Sequence, residues 1–216
     1  MKSIRRILFC LVVGLICTPL EAQPPAEGDS TKLNGGFRAY IVRDERFPLN
    51  DEKNRTGKLH CPVCENGLNP VIATFSRSIP KDANAPLVGL LKKQDELVQK
   101  YTTKRLGSFV IFLGLKQLYE DDQTRETKIA EVANFGRQVI LKNIPMGLAE
   151  ATVVKGEKTV PDDKVTAYGI GEGDDITVIF YDRLKVIQRW KFAADKGPTE
   201  EDLKAIEDAV AAHFKK

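Results

Sequence analysis

The segment His60-Cys61-Pro62-Val63-Cys64-Glu65-Asn66-Gly67-Leu68-Asn69-Pro70 runs straight into Val71-Ile72-Ala73-Thr74-Phe75-Ser76. A Cys-x-x-Cys pair thus stands directly before a short, β-rich apolar run. Gly67 and Asn69-Pro70 stop any helix that begins at the cysteines. The spacing then predicts a central strand over 71–76. A competing reading makes residues 61–78 one helix, with Pro70 six residues after Cys64. Gly67 and the β-branched Val71, Ile72 and Thr74 oppose it.

Upstream, Met1-Lys2-Ser3-Ile4-Arg5-Arg6 is basic and the run from Ile7 to Leu20 is apolar, followed by Glu21-Ala22-Gln23-Pro24-Pro25. That order predicts a secretory signal over 1–22, with cleavage after Ala22. The apolar run is shorter than the roughly 20 residues a spanning helix needs, so no stable membrane span is expected after cleavage. The protein is therefore expected outside the cytoplasm, in a periplasm or extracellular space. Residues 23–36, rich in Pro, Gly and polar residues, read as a flexible leader. Residues 37–69 then form an N-terminal strand and the loop carrying the cysteines.

Of four cysteines, Cys10 and Cys17 fall in the signal, leaving Cys61 and Cys64. In an oxidising compartment such a pair is expected as a disulfide at rest. The formal charge of +3 is small, and basic and acidic residues interleave. No basic patch argues for nucleic acid.

Downstream, Pro86 opens an apolar-faced helix with Leu87, Leu90, Leu91 and Leu97, ending by Gly107. Ser108–Leu113 reads as a second buried strand. Thr124 caps another helix, Val139-Ile140-Leu141 starts a third strand ending near Pro145, and 152–163 is a polar loop. Asp162 to Tyr168 is a short helix. Ile176–Tyr181 and Leu184–Phe192 flank a turn as a hairpin. Thr199 and Asp202 suit a capping box for a last helix through Phe214. The fold class is α/β: a mixed central sheet, helices on both faces, and a C-terminal hairpin plus helix.

Ala167-Tyr168-Gly169-Ile170, followed by Thr177–Tyr181, a polar turn, Lys185-Val186 and a closing helix, resembles the thioredoxin-like superfamily. The helix and strand expected between 124 and 145, with Ile144-Pro145-Met146, resemble its peroxiredoxin-type redoxin branch. The resemblance covers residues 70–214 and departs from the family at the usual site. The place of the family's active cysteine is Arg77-Ser78-Ile79-Pro80-Lys81-Asp82-Ala83-Asn84, which holds no cysteine. Ile176 stands where the thioredoxin cis-proline is expected, and no peroxidatic Thr-x-x-Cys occurs.

The resemblance implies a thiol–disulfide oxidoreductase, for which Cys61 and Cys64 are the catalytic candidates, with Cys61 the attacking thiol beside a cation from His60 or Lys58. Its partner would be a thiol or disulfide protein of the cell envelope. The alternative is a redox-inactive binding module in which Cys61–Cys64 is a structural disulfide. A zinc site is a third reading, but it needs four ligands, and only His60 and His213 are available beside the pair. Gly169-x-Gly171-x-Gly173 leads into a strand, so no nucleotide cofactor is called for. Asn54-Arg55-Thr56 matches a glycosylation acceptor, a pattern common by chance.

Overall fold

The computed structural model describes residues 32, 33, 35–115 and 122–215. The expected signal and most of the expected leader lie outside the described residues. Strands β1 (Ala39–Arg43) and β2 (Lys58–His60) precede helix α1 (Pro62–Asn66) and strand β3 (Val71–Ser76). Helix α2 (Pro86–Lys100), β4 (Gly107–Leu115), α3 (Asp122–Val139) and β5 (Met146–Glu150) follow. A small hairpin, β6 (Thr152–Lys155) and β7 (Lys158–Pro161), leads to α4 (Asp163–Ala167). The chain closes with β8 (Ile176–Asp182), β9 (Lys185–Phe192) and α5 (Glu200–Phe214).

Seven strands form one mixed sheet in the order β2-β1-β5-β4-β3-β8-β9. β3 pairs parallel with β4 and antiparallel with β8, with Ala73 opposite both Phe109 and Ile179. All six residues of β3 are buried. A strand covered on both faces has no polar alternation, which is why 71–76 reads as a continuous apolar run.

Each face carries its own core. On one, α2, α3 and α5 contribute Leu90, Phe135 and Ile206 against Ile72, Val110 and Val178. Gln94 of α2 is buried in that core, where its Nε2 donates to Thr74 Oγ1 at 2.7 Å. The three long helices all lie here. The opposite face is covered by the single-turn helices α1 and α4, through Val63 and Val165, and by Leu33 and Phe37. Helices do cover both faces, but very unequally.

Several local expectations are corrected. The stretch 37–69 holds more than one strand and a loop, since Lys58–His60 joins the sheet edge beside β1. Helix α2 stops at Lys100, a 3-10 turn follows at Thr102–Lys104, and Gly107 starts β4 instead of ending the helix. Thr124 lies inside α3, preceded by the helical residues Asp122 and Gln123, so it is not the cap. Val139 is the last residue of α3, packed inward at helical spacing from Val132 and Phe135, so 139–141 is not a strand. The third parallel strand is β5, whose Met-Gly-Leu-Ala-Glu carries no β-branched residue. Gly147 is required there: a methyl group on it would stand 2.9 Å from Ile111 Cδ1 and 3.2 Å from Ala39 Cβ. The expected loop 152–163 contains the β6–β7 hairpin, which pairs only with itself.

Candidate redox site

Cys61 is the N-cap of α1, with extended backbone (φ −110°, ψ 97°) and Pro62 at the first helical position. Proline lacks the N–H that would go unpaired there, so it starts a helix well. The Cys64 N–H donates to Cys61 Sγ at 3.0 Å, the bond a serine or aspartate cap would make. Gly67, at φ +57°, ends the helix after one turn, and its N–H reaches the Val63 and Cys64 carbonyls. Residues 61–78 are therefore not one helix.

Cys61 and Cys64 are joined as a disulfide, with Cα atoms 5.2 Å apart. Their burial does not favour Cys61 as the attacking thiol. Cys61 is half-buried against the second core, and Cys64 is exposed. The pair precedes β3, so it lies at the opposite end of that strand from loop 77–84, where the family's cysteine would stand.

The residues before β1 lie over the sulfurs. A methyl group built on Gly36 would stand 2.6 Å from Cys64 Sγ and 2.8 Å from Cys61 Sγ. Only glycine allows the backbone so close. Tyr168, fully buried, donates its hydroxyl to the Gly35 carbonyl at 2.8 Å. Phe37 packs edge-on against Phe75 and Tyr168, with centroids 5.1 and 5.2 Å apart. The Leu33 N–H donates to the Leu184 carbonyl at 2.8 Å.

The expected cations do not turn to the sulfurs. His60 Nε2 lies 3.4 Å from Glu65 Oε2, and Lys58 Nζ donates to the Asn54 carbonyl at 2.8 Å. Burial pushes the His60 imidazole below its ordinary value; Glu65 opposes this, while Arg55 and Arg46 reinforce it. His60 therefore holds its proton less readily than a free imidazole, and it faces Glu65 instead of the sulfurs. Glu65 is instead the hub of a polar cluster. Arg46 Nη2 reaches it at 3.1 Å and also forms a two-pronged pair with Asp44, both contacts at 2.8 Å. Arg55 approaches it at 3.9 Å.

The loop at the family's usual site is tied down by backbone contacts: Arg77 donates to the Asp174 carbonyl at 3.1 Å and the Gly171 carbonyl at 2.7 Å. Among the described residues no peptide bond is cis, Ile176 included. No cluster of three or more metal-ligating side chains occurs among them, and no helix is long and apolar enough to cross a membrane. Gly36 and Arg46 were missed as site residues. The consecutive glycines at 35 and 36 are the one local sign of a close backbone approach.

Neither family models nor the curated proteins match the sequence. Solved structures do match the backbone. A putative protein disulfide isomerase from Bacteroides thetaiotaomicron is 12% identical, with a TM-score of 0.53 over 86% of this chain and 90% of that one. AhpC from Mycobacterium tuberculosis is 10% identical, with a TM-score of 0.52 over 85% of this chain and 90% of that one. Identities this low speak for the path of the backbone alone. On that path, with the helix and strand α3 and β5 standing between β4 and α4, the chain has a thioredoxin-like fold.

Proposed function

We propose that the protein is an exported thiol–disulfide exchange protein whose redox couple is Cys61–Cys64, acting on a thiol or disulfide protein of the cell envelope. One observation carries the reading: the exposed cysteine and the hydrogen-bonded cysteine are the two ends of a single disulfide. An incoming thiolate attacks Cys64 Sγ, the sulfur with solvent access. The bond to Cys61 breaks, and its electron pair leaves on Cys61 Sγ, where the Cys64 N–H stabilises the new thiolate. A second partner thiolate then attacks the partner's own sulfur in the mixed disulfide and releases Cys64 as thiolate. The partner dithiol is oxidised by two electrons, and Cys61 and Cys64 take up two protons as thiols. Run backwards, the same steps make Cys64 the attacking thiol and Cys61 the resolving one. Export is supported by the basic, apolar and small-residue order of residues 1–22.

The test is equilibration of the mature protein with glutathione buffers while free thiols are counted. A couple that titrates within the glutathione range supports exchange. A pair still oxidised across it, as structural disulfides below about −300 mV are, refutes it. The second reading, a redox-inactive binding module with a structural disulfide, is favoured by the loop 77–84, which keeps the family's position but not its cysteine.

A further inference from the structure

We propose that residues 35 and 36 form a redox-coupled cover, docked on the Cys61–Cys64 disulfide and displaced when the pair is reduced. This deepens the exchange reading, on which its use in the cell rests. The bow of residues 35 and 36 has two apolar anchors, Leu33 and Phe37, which are 2% and 3% exposed. Between them Gly35 takes a left-handed turn at φ +80°, and Gly36 rests on both sulfurs. The Tyr168 hydroxyl holds the bow down through the Gly35 carbonyl.

The fit depends on the covalent bond. Bonded sulfurs sit about 2.05 Å apart. Non-bonded heavy atoms need roughly 3.5–4.0 Å. Because Gly36 lies against both sulfurs, their separation cannot leave the contact unchanged. Cys61 is packed against the second core, so Cys64 is the sulfur that shifts, and its shift bears on the Gly36 contact. Reduction thus lifts the bow. By linkage, a cover that prefers the disulfide makes the pair harder to reduce by the same factor, and couplings of this kind amount to roughly 5- to 150-fold. A partner that draws the bow away would thereby also make the pair reducible, which ties exchange to docking.

The experiment is amide hydrogen exchange on the full chain, oxidised and after reduction by dithiothreitol, which itself closes to a cyclic disulfide as the pair gains two electrons and two protons. The amides of residues 35–38 are expected to exchange about tenfold faster in the reduced protein, within the usual range of coupling, while those of β3 and β4 stay unchanged. The double variant Cys61→Ser, Cys64→Ser keeps two side-chain heavy atoms there that cannot bond covalently and stand about 2.7 Å or more apart, so it gives the unbonded state without any reductant and should shift toward the reduced protein. Gly36→Ala supplies the converse. Gly36 is outside the left-handed region, so the added methyl strains only the sulfur contact. In the oxidised variant the bow should already exchange quickly, and dithiothreitol should reduce the pair faster than in the parent.

Equal exchange at 35–38 in oxidised, reduced and cysteine-free protein overturns the proposal. So does a Gly36→Ala variant that keeps the parent's protection and reduction rate, since Cys64 would then be moving outward into solvent and leaving the cover in place. Failure of the exchange reading looks different: the cover loosens under dithiothreitol, but the pair never titrates with glutathione.

Discussion

His60 Nε2 stands 3.4 Å from Glu65 Oε2, so the one histidine near the disulfide faces a carboxylate. Its lowered proton affinity makes it a source of acid sensitivity. The unfolded chain protonates this imidazole near its ordinary value of 6.5, and the folded protein does so only at lower pH. In the window between, the unfolded state binds more protons, so stability falls as pH falls. Asp44 adds a second decline further down. Burial works against its charge, but Arg46 more than compensates, holding the carboxyl below 3.8. The stability it lends is present above its ordinary value and lost as pH drops through the folded one. Urea unfolding at about pH 7.5, 6.5 and 5.5, bracketing the ordinary imidazole value, should show a decline that His60→Gln flattens. An unchanged slope in the variant would place the sensitivity elsewhere.

Asn54 is buried, with Nδ2 donating to the Asp44 carbonyl at 3.0 Å and the Phe47 carbonyl at 2.7 Å. Asn54→Ala should cost about 1–3 kcal/mol, the usual penalty for leaving buried acceptors unpaired. A shifted urea midpoint with an unchanged slope is the expected signature. The same burial means the folded protein should not be glycosylated at this residue, which mass spectrometry of eukaryotically secreted material would check.

Ile140 has φ +50° directly after α3 and is 66% exposed. A β-branched residue in that conformation is strained, and its side chain buries little. Ile140→Gly should therefore stabilise the protein by about 0.5–1 kcal/mol, the left-handed strain relieved less the glycine's entropy cost. Loss of stability in thermal or urea unfolding would show that Ile140 makes a contact worth more than its strain.

Cys64 is the outer sulfur, so single variants should differ in reach. Cys61→Ser leaves the exposed thiol and should form mixed disulfides with a bulky protein disulfide readily. Cys64→Ser leaves the half-buried thiol and should do so at least severalfold more slowly. Trapping followed by mass spectrometry reads the ratio, and the opposite ratio would restore Cys61 as the attacking residue.

The elements legible in the sequence are those whose signal is local. Val71–Ser76, Ile176–Tyr181 and the Thr199–Asp202 capping box declare themselves through continuous apolar runs or a two-residue cap. β5 does not, because its place is set by neighbours: Gly147 is there to let Ile111 and Ala39 close in. Val139-Ile140-Leu141 misleads for the converse reason. These are strong strand formers, yet Val139 packs as the last inward residue of α3 and Ile140 carries the turn. At the site, the spacing of Cys61 and Cys64 announces their disulfide. The partners of His60 and Lys58 come from residues 54 and 65, fixed only once β2 and α1 have turned. The role of Gly36 depends on Tyr168 and Leu184, far along the chain, and the paired glycines at 35 and 36 are its one local sign.

The bond from the Leu33 N–H to the Leu184 carbonyl also sets an order of events during biogenesis. At about 5–20 residues per second, the stretch between these two residues takes roughly 8–30 s to emerge from the ribosome. Cys61 and Cys64, three residues apart, can meet within about 100 ns, the time in which short loops close. The sulfurs therefore stand open for most of the molecule's birth, and the N-terminal residues, first to be made, are among the last to be seated. An oxidant that installs the disulfide early meets both sulfurs bare; every later visitor finds Gly36 already seated beside them.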